Sequence, residues 1–112
     1  MNVLALQLRR VGDILMTTPA LRALKARFPQ AEVTYVCDGA YSPVLRAHEC
    51  VDTLVPYRSG SGLREHLRLV ATLRQREFDL ALDFESSAVT AMLAAGSGAS
   101  RRIGFGQRHG YA

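Results

Sequence analysis

The chain has 112 residues, enough for one domain with a modest core and too few for two. Its hydrophobic content of 48% and charged content of 21%, without low-complexity tracts, exclude a disordered protein. The net charge of +4 comes mainly from arginine, which suits phosphates, phospholipid surfaces or nucleic acid as partners, or simply a solvated basic surface.

The cysteines and the hydropathy pattern bear on where the protein works. Cys37 and Cys50 are too few for a disulfide-rich secreted domain, no signal-peptide pattern precedes the first apolar run, and no run is long enough to span a membrane. We therefore expect a cytoplasmic protein with both cysteines in its core, and any membrane contact would be peripheral. His48 and Cys50 lack a second pair of ligands at zinc-site spacing, so no metal site is predicted.

The first third of the chain is typical of a strand followed by a helix. Met1 to Leu8 is a compact apolar run, which predicts a strand. A helical face follows before Pro29 stops the pattern, formed by Ile14, Leu21, Leu24 and Phe28. Two starts are open for this helix: Asp13 caps a helix that continues through Pro19, or Thr18 is the cap and Pro19 the first helical residue.

The middle of the chain predicts two more strands. Glu32 to Cys37 is rich in β-branched and aromatic residues, and Asp38-Gly39 marks the turn that follows. Tyr41 to Ala47 could form a short helix that Pro43 interrupts early. Val51 to Pro56 is typical of a third strand.

A longer helix and two further strands complete the pattern. Ser61 can cap a helix whose apolar residues share one face, namely Leu63, Leu67, Val70 and Leu73. Phe78 to Phe84 predicts a fourth strand, after which Ser86 or Ser87 can cap a short helix. Arg101 to Phe105 predicts a fifth strand.

This alternation implies right-handed crossovers and a parallel sheet with helices on both faces, the doubly wound, Rossmann-like α/β class. Ligands in such folds bind outside the carboxyl ends of the strands. The expected site is therefore Arg9 to Asp13, where the first strand ends. Gly12 lets the backbone approach a ligand closely, and Arg9 and Arg10 add to the positive field of a helix start. The dinucleotide and P-loop motifs, G-x-G-x-x-G and G-x-x-x-x-G-K-[ST], do not occur.

Three stretches in the same order carry a resemblance to a known family: LRRVGDILMTTPALRALKARFP, FDLALDFESSAVTAMLAA and RRIGF. They cover nearly the whole chain, which resembles the family 9 glycosyltransferases that include the lipopolysaccharide heptosyltransferases. The resemblance implies a two-domain GT-B enzyme whose amino-terminal domain binds the acceptor and whose carboxy-terminal domain binds the donor. Residues 1–112 would then be part of the amino-terminal, acceptor-side domain, the donor domain would be absent, and this chain alone would not catalyse transfer.

The resemblance also implies roles for individual residues. Asp13 matches the Gly-Asp pair of the family and would take the proton from the acceptor hydroxyl during transfer with inversion. Arg9 and Arg10 could hold phosphate or carboxylate groups of the acceptor. Thr17 and Thr18 could bond the acceptor or simply satisfy backbone groups.

The implied partners are a nucleotide sugar and a membrane-borne acceptor. The donor would be ADP-heptose, acting as co-substrate without a cofactor, and the acceptor a lipid-linked saccharide of the lipopolysaccharide core at the inner face of the inner membrane. No D-x-D pair of carboxylates occurs, which argues against a metal-held diphosphate in this part of the enzyme and leaves its metal requirement open. The family often has Gln or His followed by Gly after the fourth strand, where this chain has Glu85-Ser86-Ser87, so we expect a different acceptor preference. Asp83 and Glu85 follow the fourth strand and would lie at the same edge of a parallel sheet as the expected site, but turn and cap roles are the favoured interpretation for both.

Interpretations from other classes stay open. An aspartate at a helix start is often only a cap, in which case Asp13 serves the fold. A non-catalytic, flavodoxin-like module that binds a small ligand or an anion would show the same alternation. Nucleic acid is not expected as a partner, because no aromatic-rich basic strand, zinc pattern or recognition-helix signature occurs. Arg101 and Arg102 are interpreted as basic surface, with an anion or membrane contact as the other use.

Overall fold

The computed structural model of the chain describes residues 1–8, 10–46, 48–58 and 62–104. In these ranges the polypeptide forms five strands: β1 (Asn2–Leu6), β2 (Glu32–Asp38), β3 (Thr53–Tyr57), β4 (Leu80–Asp83) and β5 (Arg101–Gly104). The helices in the same ranges are α1 (Val11–Met16), α2 (Thr18–Arg27), α3 (Leu63–Gln75) and α4 (Ala88–Gly96), with a short 3₁₀ helix at Ser42–Val44.

The strands form one parallel sheet in the order β3-β2-β1-β4-β5. β1 lies at its centre, with Val3 paired to Val33 of β2 on one side and to Leu80 of β4 on the other. The chain winds outward from β1 through β2 to β3 and then crosses back to β4. This is the Rossmann strand order, so the predicted doubly wound α/β fold is confirmed.

Each face of the sheet has its own apolar layer, because successive side chains of a strand point to opposite faces. One cluster of buried residues contains Val3 of β1 together with Ile14 of α1 and Leu21 of α2. The other contains Leu4 of β1 together with Leu73 of α3 and residues of α4. β1 is therefore covered on both sides, which explains its continuous apolar sequence.

The helical pattern after β1 is interrupted, and both predicted starts are wrong. α1 begins after Arg10, which occupies the N-cap position, and Asp13 lies in the first turn of α1. Thr17 separates the two helices and is the N-cap residue of α2, so Thr18 is the first residue of α2 and Pro19 the second.

Thr17 accounts for this interruption. Its Oγ1 lies 2.6 Å from the carbonyl oxygen of Ile14 and 2.8 Å from the hydroxyl of Tyr35 in β2. Threonine has one hydroxyl proton, which it donates to Ile14, so the Tyr35 hydroxyl donates to Thr17. Burial raises the pKa of Tyr35 despite its bond with Thr17, which keeps this phenol protonated as a donor. A threonine bonded to the preceding turn competes with the helical ladder, and here it also ties the helix junction to the sheet.

The predicted apolar face of α3 is only partly covered. Leu73 is fully buried, whereas Leu63 and Leu67 are 69% and 56% exposed. A helix of 13 residues is about 20 Å long, and β4, with 4 residues, is about 13 Å long. α3, which begins after Gly62, is therefore longer than β4, and its exposed leucines lie in its first two turns.

Some predicted boundaries shift or cannot be compared. The predicted helix over Tyr41 to Ala47 is reduced to the 3₁₀ helix at Ser42–Val44, and Ala47 lies outside the described residues. The predicted cap Ser61 and the predicted strand end Phe105 also lie outside them. None of the helices in the described ranges has the length and apolar character needed to cross a membrane.

Both cysteines are free and buried, as predicted. Burial, with a smaller contribution from the charge of Asp38, raises the pKa of Cys37 to about 11. The thiol is therefore protonated at neutral pH and unreactive, because the thiolate is the nucleophilic form.

We predict that Glu77→Gly stabilises the chain. Glu77 follows α3 with φ 54°, in the left-handed region, and its backbone N–H donates to the carbonyl of Arg74 at 3.2 Å. Glycine adopts this helix-terminating conformation without a steric cost, so the free energy of unfolding should rise by about 1 kcal/mol in chemical denaturation. Glu77→Ala is the matched control, because it removes the side chain and keeps the strain. An equal gain for alanine would contradict the argument.

Candidate functional site at the ends of β1 and β4

The winding of the sheet reverses at β1, whose neighbours β2 and β4 lead to opposite edges. Such a switch point leaves a crevice outside the carboxyl ends of the two strands between which it falls. Here the crevice is a cavity of about 460 Å³ beside β1 and β4. Its walls are mostly polar and consist of Gln7, Arg10, Asp13, Met16, Phe84, Glu85, Ser86 and Ser87.

Asp13 contributes its carboxylate to this cavity. Its side chain is 49% exposed, and Oδ2 lies 3.3 Å from Nη1 of Arg10. α1 has no side-chain cap bond, so Asp13 does not act as the cap of this helix. The carboxylate is thus held beside a guanidinium and remains accessible to a ligand.

Two residues of the cavity wall have a left-handed backbone. Arg10, before α1, has φ 69°, and Ser86, in the loop after β4, has φ 57°. A side chain other than glycine costs about 1 kcal/mol or more in this conformation. Both residues stand at the ends of adjacent strands, so the fold carries local strain on two sides of one cavity.

Glu85 connects the two strand ends. Its Oε1 accepts hydrogen bonds from the backbone N–H of Leu8 at 2.9 Å and from Nε2 of Gln7 at 3.3 Å. The loop after β4 is thereby fixed to the segment after β1, and Glu85 becomes a wall of the cavity that holds Asp13. The position of Glu85 at the same sheet edge as Asp13 agrees with its predicted place after the fourth strand, whereas its contacts with Gln7 and Leu8 differ from the favoured turn or cap role.

Asp83 and Ser87 give the loop after β4 its shape. Asp83 is buried, and its Oδ1 accepts the backbone N–H of Ser86 at 2.7 Å, which agrees with its predicted turn role. Ser87, rather than Ser86, caps α4: its Oγ accepts the Thr90 N–H at 3.2 Å, and its own N–H donates to Thr90 Oγ1 at 2.9 Å. Burial outweighs the hydrogen bonds to Asp83 and raises the pKa of its carboxyl.

The remaining predicted site residues have different settings. Arg9 lies outside the described residues. Gly12 is exposed, and a Cβ added there would meet none of the described atoms within 4 Å, so its surroundings do not require glycine. Thr18 donates its hydroxyl to a carbonyl of the preceding turn at 2.8 Å. Thr17 is buried, does not line the cavity and uses its hydroxyl in the bonds described above, one of which is to a backbone carbonyl.

No protein-family model matches the chain. Its sequence is 27% identical over 103 residues to lipopolysaccharide core heptosyltransferase OpsX of Haemophilus influenzae, covering 92% of this chain and 29% of that protein. The structure of Escherichia coli ADP-heptose lps heptosyltransferase II is 27% identical, with a TM-score of 0.80 over 93% of this chain and 30% of that one. A glycosyl transferase of family 9 from Veillonella parvula, 21% identical, also has a TM-score of 0.80, over 92% of this chain and 32% of its own.

The chain is related to the family 9 glycosyltransferases. The resemblance predicted from the three sequence stretches is thereby confirmed, together with the fold that it implied. The chain spans about 30% of the length of the curated heptosyltransferases that it matches.

In this relative of the heptosyltransferases, the cavity combines the carboxylate of Asp13 with the guanidinium of Arg10, and Glu85 forms part of its wall. A carboxylate accepts hydrogen bonds from hydroxyl groups and can take a proton from one that is held close. A guanidinium donates to anionic groups in a planar fork. The arrangement therefore suits a ligand that carries both a hydroxyl group and an anionic group.

We predict that Asp83 causes the free energy of unfolding of this chain to fall as pH rises. The folded state holds the Asp83 proton more tightly than the unfolded chain, where the pKa is near 3.8. The resulting contribution to the free energy of unfolding is fully present below that value and is lost as pH rises through the raised value. Asp83→Asn keeps an acceptor for the Ser86 N–H and removes the titration. As pH rises, the denaturant midpoint of the unaltered chain should therefore fall relative to that of Asp83→Asn. A constant difference between the two midpoints at every pH would contradict the assignment.

Proposed function

We propose that the chain is the acceptor-side, amino-terminal part of an inverting GT-B glycosyltransferase that transfers heptose from ADP-heptose to a lipopolysaccharide core acceptor. Similarity to lipopolysaccharide heptosyltransferases supports the reaction class. The observation that carries the assignment to this site is the half-exposed Asp13 carboxylate in an open cavity at the switch point of the sheet.

Asp13 acts as the base in this proposal. Inversion requires that the acceptor hydroxyl attack the sugar on the face opposite the departing diphosphate and lose its proton to a nearby group. A carboxylate at the mouth of the acceptor cavity can accept that proton when the hydroxyl lies within hydrogen-bond distance. The transition state has oxocarbenium character, so the proton moves late and the carboxylate needs chiefly to be ionised, close and correctly aimed.

Arg10 has two roles in the proposed reaction. Its Nη1 lies 3.3 Å from the Asp13 carboxylate and so restricts the orientation of the base. Its other N–H groups remain to bind an anionic group of the acceptor. The backbone strain at Arg10 lowers stability, which is consistent with selection for the position of its side chain.

The donor is bound by a second lobe in this proposal. A GT-B enzyme places its acceptor domain and donor domain on opposite sides of one cleft, and in this proposal the cavity beside Asp13 binds the acceptor. The nucleotide sugar is a co-substrate and no cofactor is proposed, and the lipid-linked acceptor brings the enzyme to the cytoplasmic face of a membrane.

We predict that Asp13→Asn abolishes most of the activity without unfolding the protein. In the protein encoded by the complete reading frame, turnover with ADP-heptose and a lipopolysaccharide acceptor should fall about a hundredfold or more. The free energy of unfolding should change little, because Asp13 caps no helix. If Asp13 served only the fold, a loss of about 1 kcal/mol with unchanged turnover would be observed instead. Glu49→Gln, an equal charge change at an exposed position outside the cavity wall, is the matched control.

We further predict that residues 1–112 alone bind acceptor but do not transfer sugar. The expected results are no release of ADP from ADP-heptose by the isolated chain, and release by the protein of the complete reading frame. Normal turnover by the isolated chain would show that the second lobe is not required.

A further inference from the structure

A chain of hydrogen bonds runs from the interior of the sheet to the helix that carries Asp13. The hydroxyl of Tyr35, a residue of β2 with no exposed surface, lies 2.8 Å from Thr17 Oγ1, which lies 2.6 Å from the carbonyl oxygen of Ile14. Ile14 in turn donates its backbone N–H to the carbonyl of Arg10 at 3.0 Å. Arg10 and Thr17 flank α1, so its two ends are joined through Ile14, the residue that directly follows Asp13.

The fixed end of this chain of bonds is the sheet. Tyr35 is paired in register with Ala5 of β1 on one side and with Leu54 of β3 on the other, so neighbouring strands hold its backbone from both directions. Its side chain belongs to the same buried cluster as Ile14. The phenol is therefore held rigidly, and Thr17 connects it to α1.

Asp13 depends on this connection more than a residue of a long helix would. α1 has 6 residues, too few to keep a fixed geometry without tertiary contacts. Thr17 lies about one helical turn after Asp13, so a tilt of the helix at Thr17 would displace the carboxylate. A base must lie within hydrogen-bond distance of the proton that it takes, and a misplacement of about 1 Å can lower a rate about a hundredfold.

Folding alone does not require the two hydroxyls of Thr17 and Tyr35. Valine has the shape of threonine and phenylalanine that of tyrosine, so these two apolar residues would fill the same space. Replacing both partners of a buried hydrogen bond by apolar groups of the same shape can be nearly neutral for stability. The Ile14 carbonyl would keep the Thr17 backbone N–H as a donor, at 3.1 Å. What the hydroxyls add is direction, because hydrogen bonds weaken steeply when they are bent.

We propose that Thr17 and Tyr35 are positioning residues, which hold the Asp13 carboxylate in the orientation needed to take the acceptor proton. The inference rests on the proposed function, in which Asp13 is the base. Neither residue lines the cavity, so both act through α1 and not by contact with the acceptor.

Steady-state kinetics of the protein encoded by the complete reading frame, with ADP-heptose and a lipopolysaccharide acceptor, test the proposal. Thr17→Val with Tyr35→Phe should lower kcat about tenfold and leave both KM values unchanged, because the orientation of the base matters in the transition state. The denaturant midpoint should stay close to that of the unaltered protein. Thr17→Ser keeps the hydroxyl and should retain kcat. Tyr35→Phe alone removes only the bond to the sheet and should also lower kcat severalfold.

Ser97 provides the matched control. It is 1% exposed, follows α4 as its C-cap residue, and donates its hydroxyl to the carbonyl of Ala94 at 2.7 Å. This bond to a carbonyl three residues earlier is the same as the one that Thr17 makes with Ile14. Ser97 does not line the cavity, so Ser97→Ala should retain kcat.

Combination with Asp13→Asn separates positioning from a general loss of structure. If Thr17 and Tyr35 act through Asp13, Thr17→Val with Tyr35→Phe should lower the residual turnover of Asp13→Asn no further. A further tenfold loss in that background, unchanged kcat without it, or an equal loss in Ser97→Ala would overturn the positioning role and leave the assignment of Asp13 intact. Unchanged turnover of Asp13→Asn alone would overturn both the proposed base and this inference.

Discussion

Burial of β1 on both faces is the constraint on which the rest of the structure depends. Val3, Leu4, Ala5 and Leu6 are all fully buried, between α1 and α2 on one face and α3 and α4 on the other. A strand covered on both faces is typical of the interior of a parallel sheet, and β1 has partners on both sides that are reached by crossovers in opposite directions. The reversal at β1 opens the crevice at its carboxyl end, and the polar residues that follow the apolar run are consequently delivered into that crevice.

Features that lower the stability of the fold are concentrated at the carboxyl edge of the sheet. Arg10 and Ser86 have left-handed backbones, and Asp83 is a buried acid whose pKa is raised by burial. Among the described residues, Glu77 is the other non-glycine residue with a left-handed backbone. It lies at the end of α3, where glycine is common. A sequence selected only for stability would not place strained non-glycine residues next to a buried carboxyl group. Their grouping around one cavity is what a functional site in a marginally stable domain looks like.

The sequence was sufficient to predict the architecture and the sheet edge at which the cavity lies. Apolar runs and helical spacing located every strand of the sheet, and the rule that ligands bind at strand ends led to Asp13. The interruption at Thr17 could not be predicted, because it depends on Tyr35, a residue brought near only by strand pairing. Exposure of Leu63 and Leu67 was equally hidden, since helical spacing identifies an apolar face and says nothing of how far the sheet beneath it extends. The hydrogen bonds of Glu85 could not be predicted, because its partners, Gln7 and Leu8, are distant in sequence.

The brevity of α1 has a consequence for how the candidate cavity responds to heat. Its 6 residues are far fewer than an isolated helix needs to persist in water. It is retained by the packing of Ile14 and by the hydrogen bond that Thr17 forms with Tyr35. Warming would therefore unfold α1 locally while the sheet was still intact. The cavity wall that α1 supplies would melt around one phenol, well before the domain as a whole unfolds.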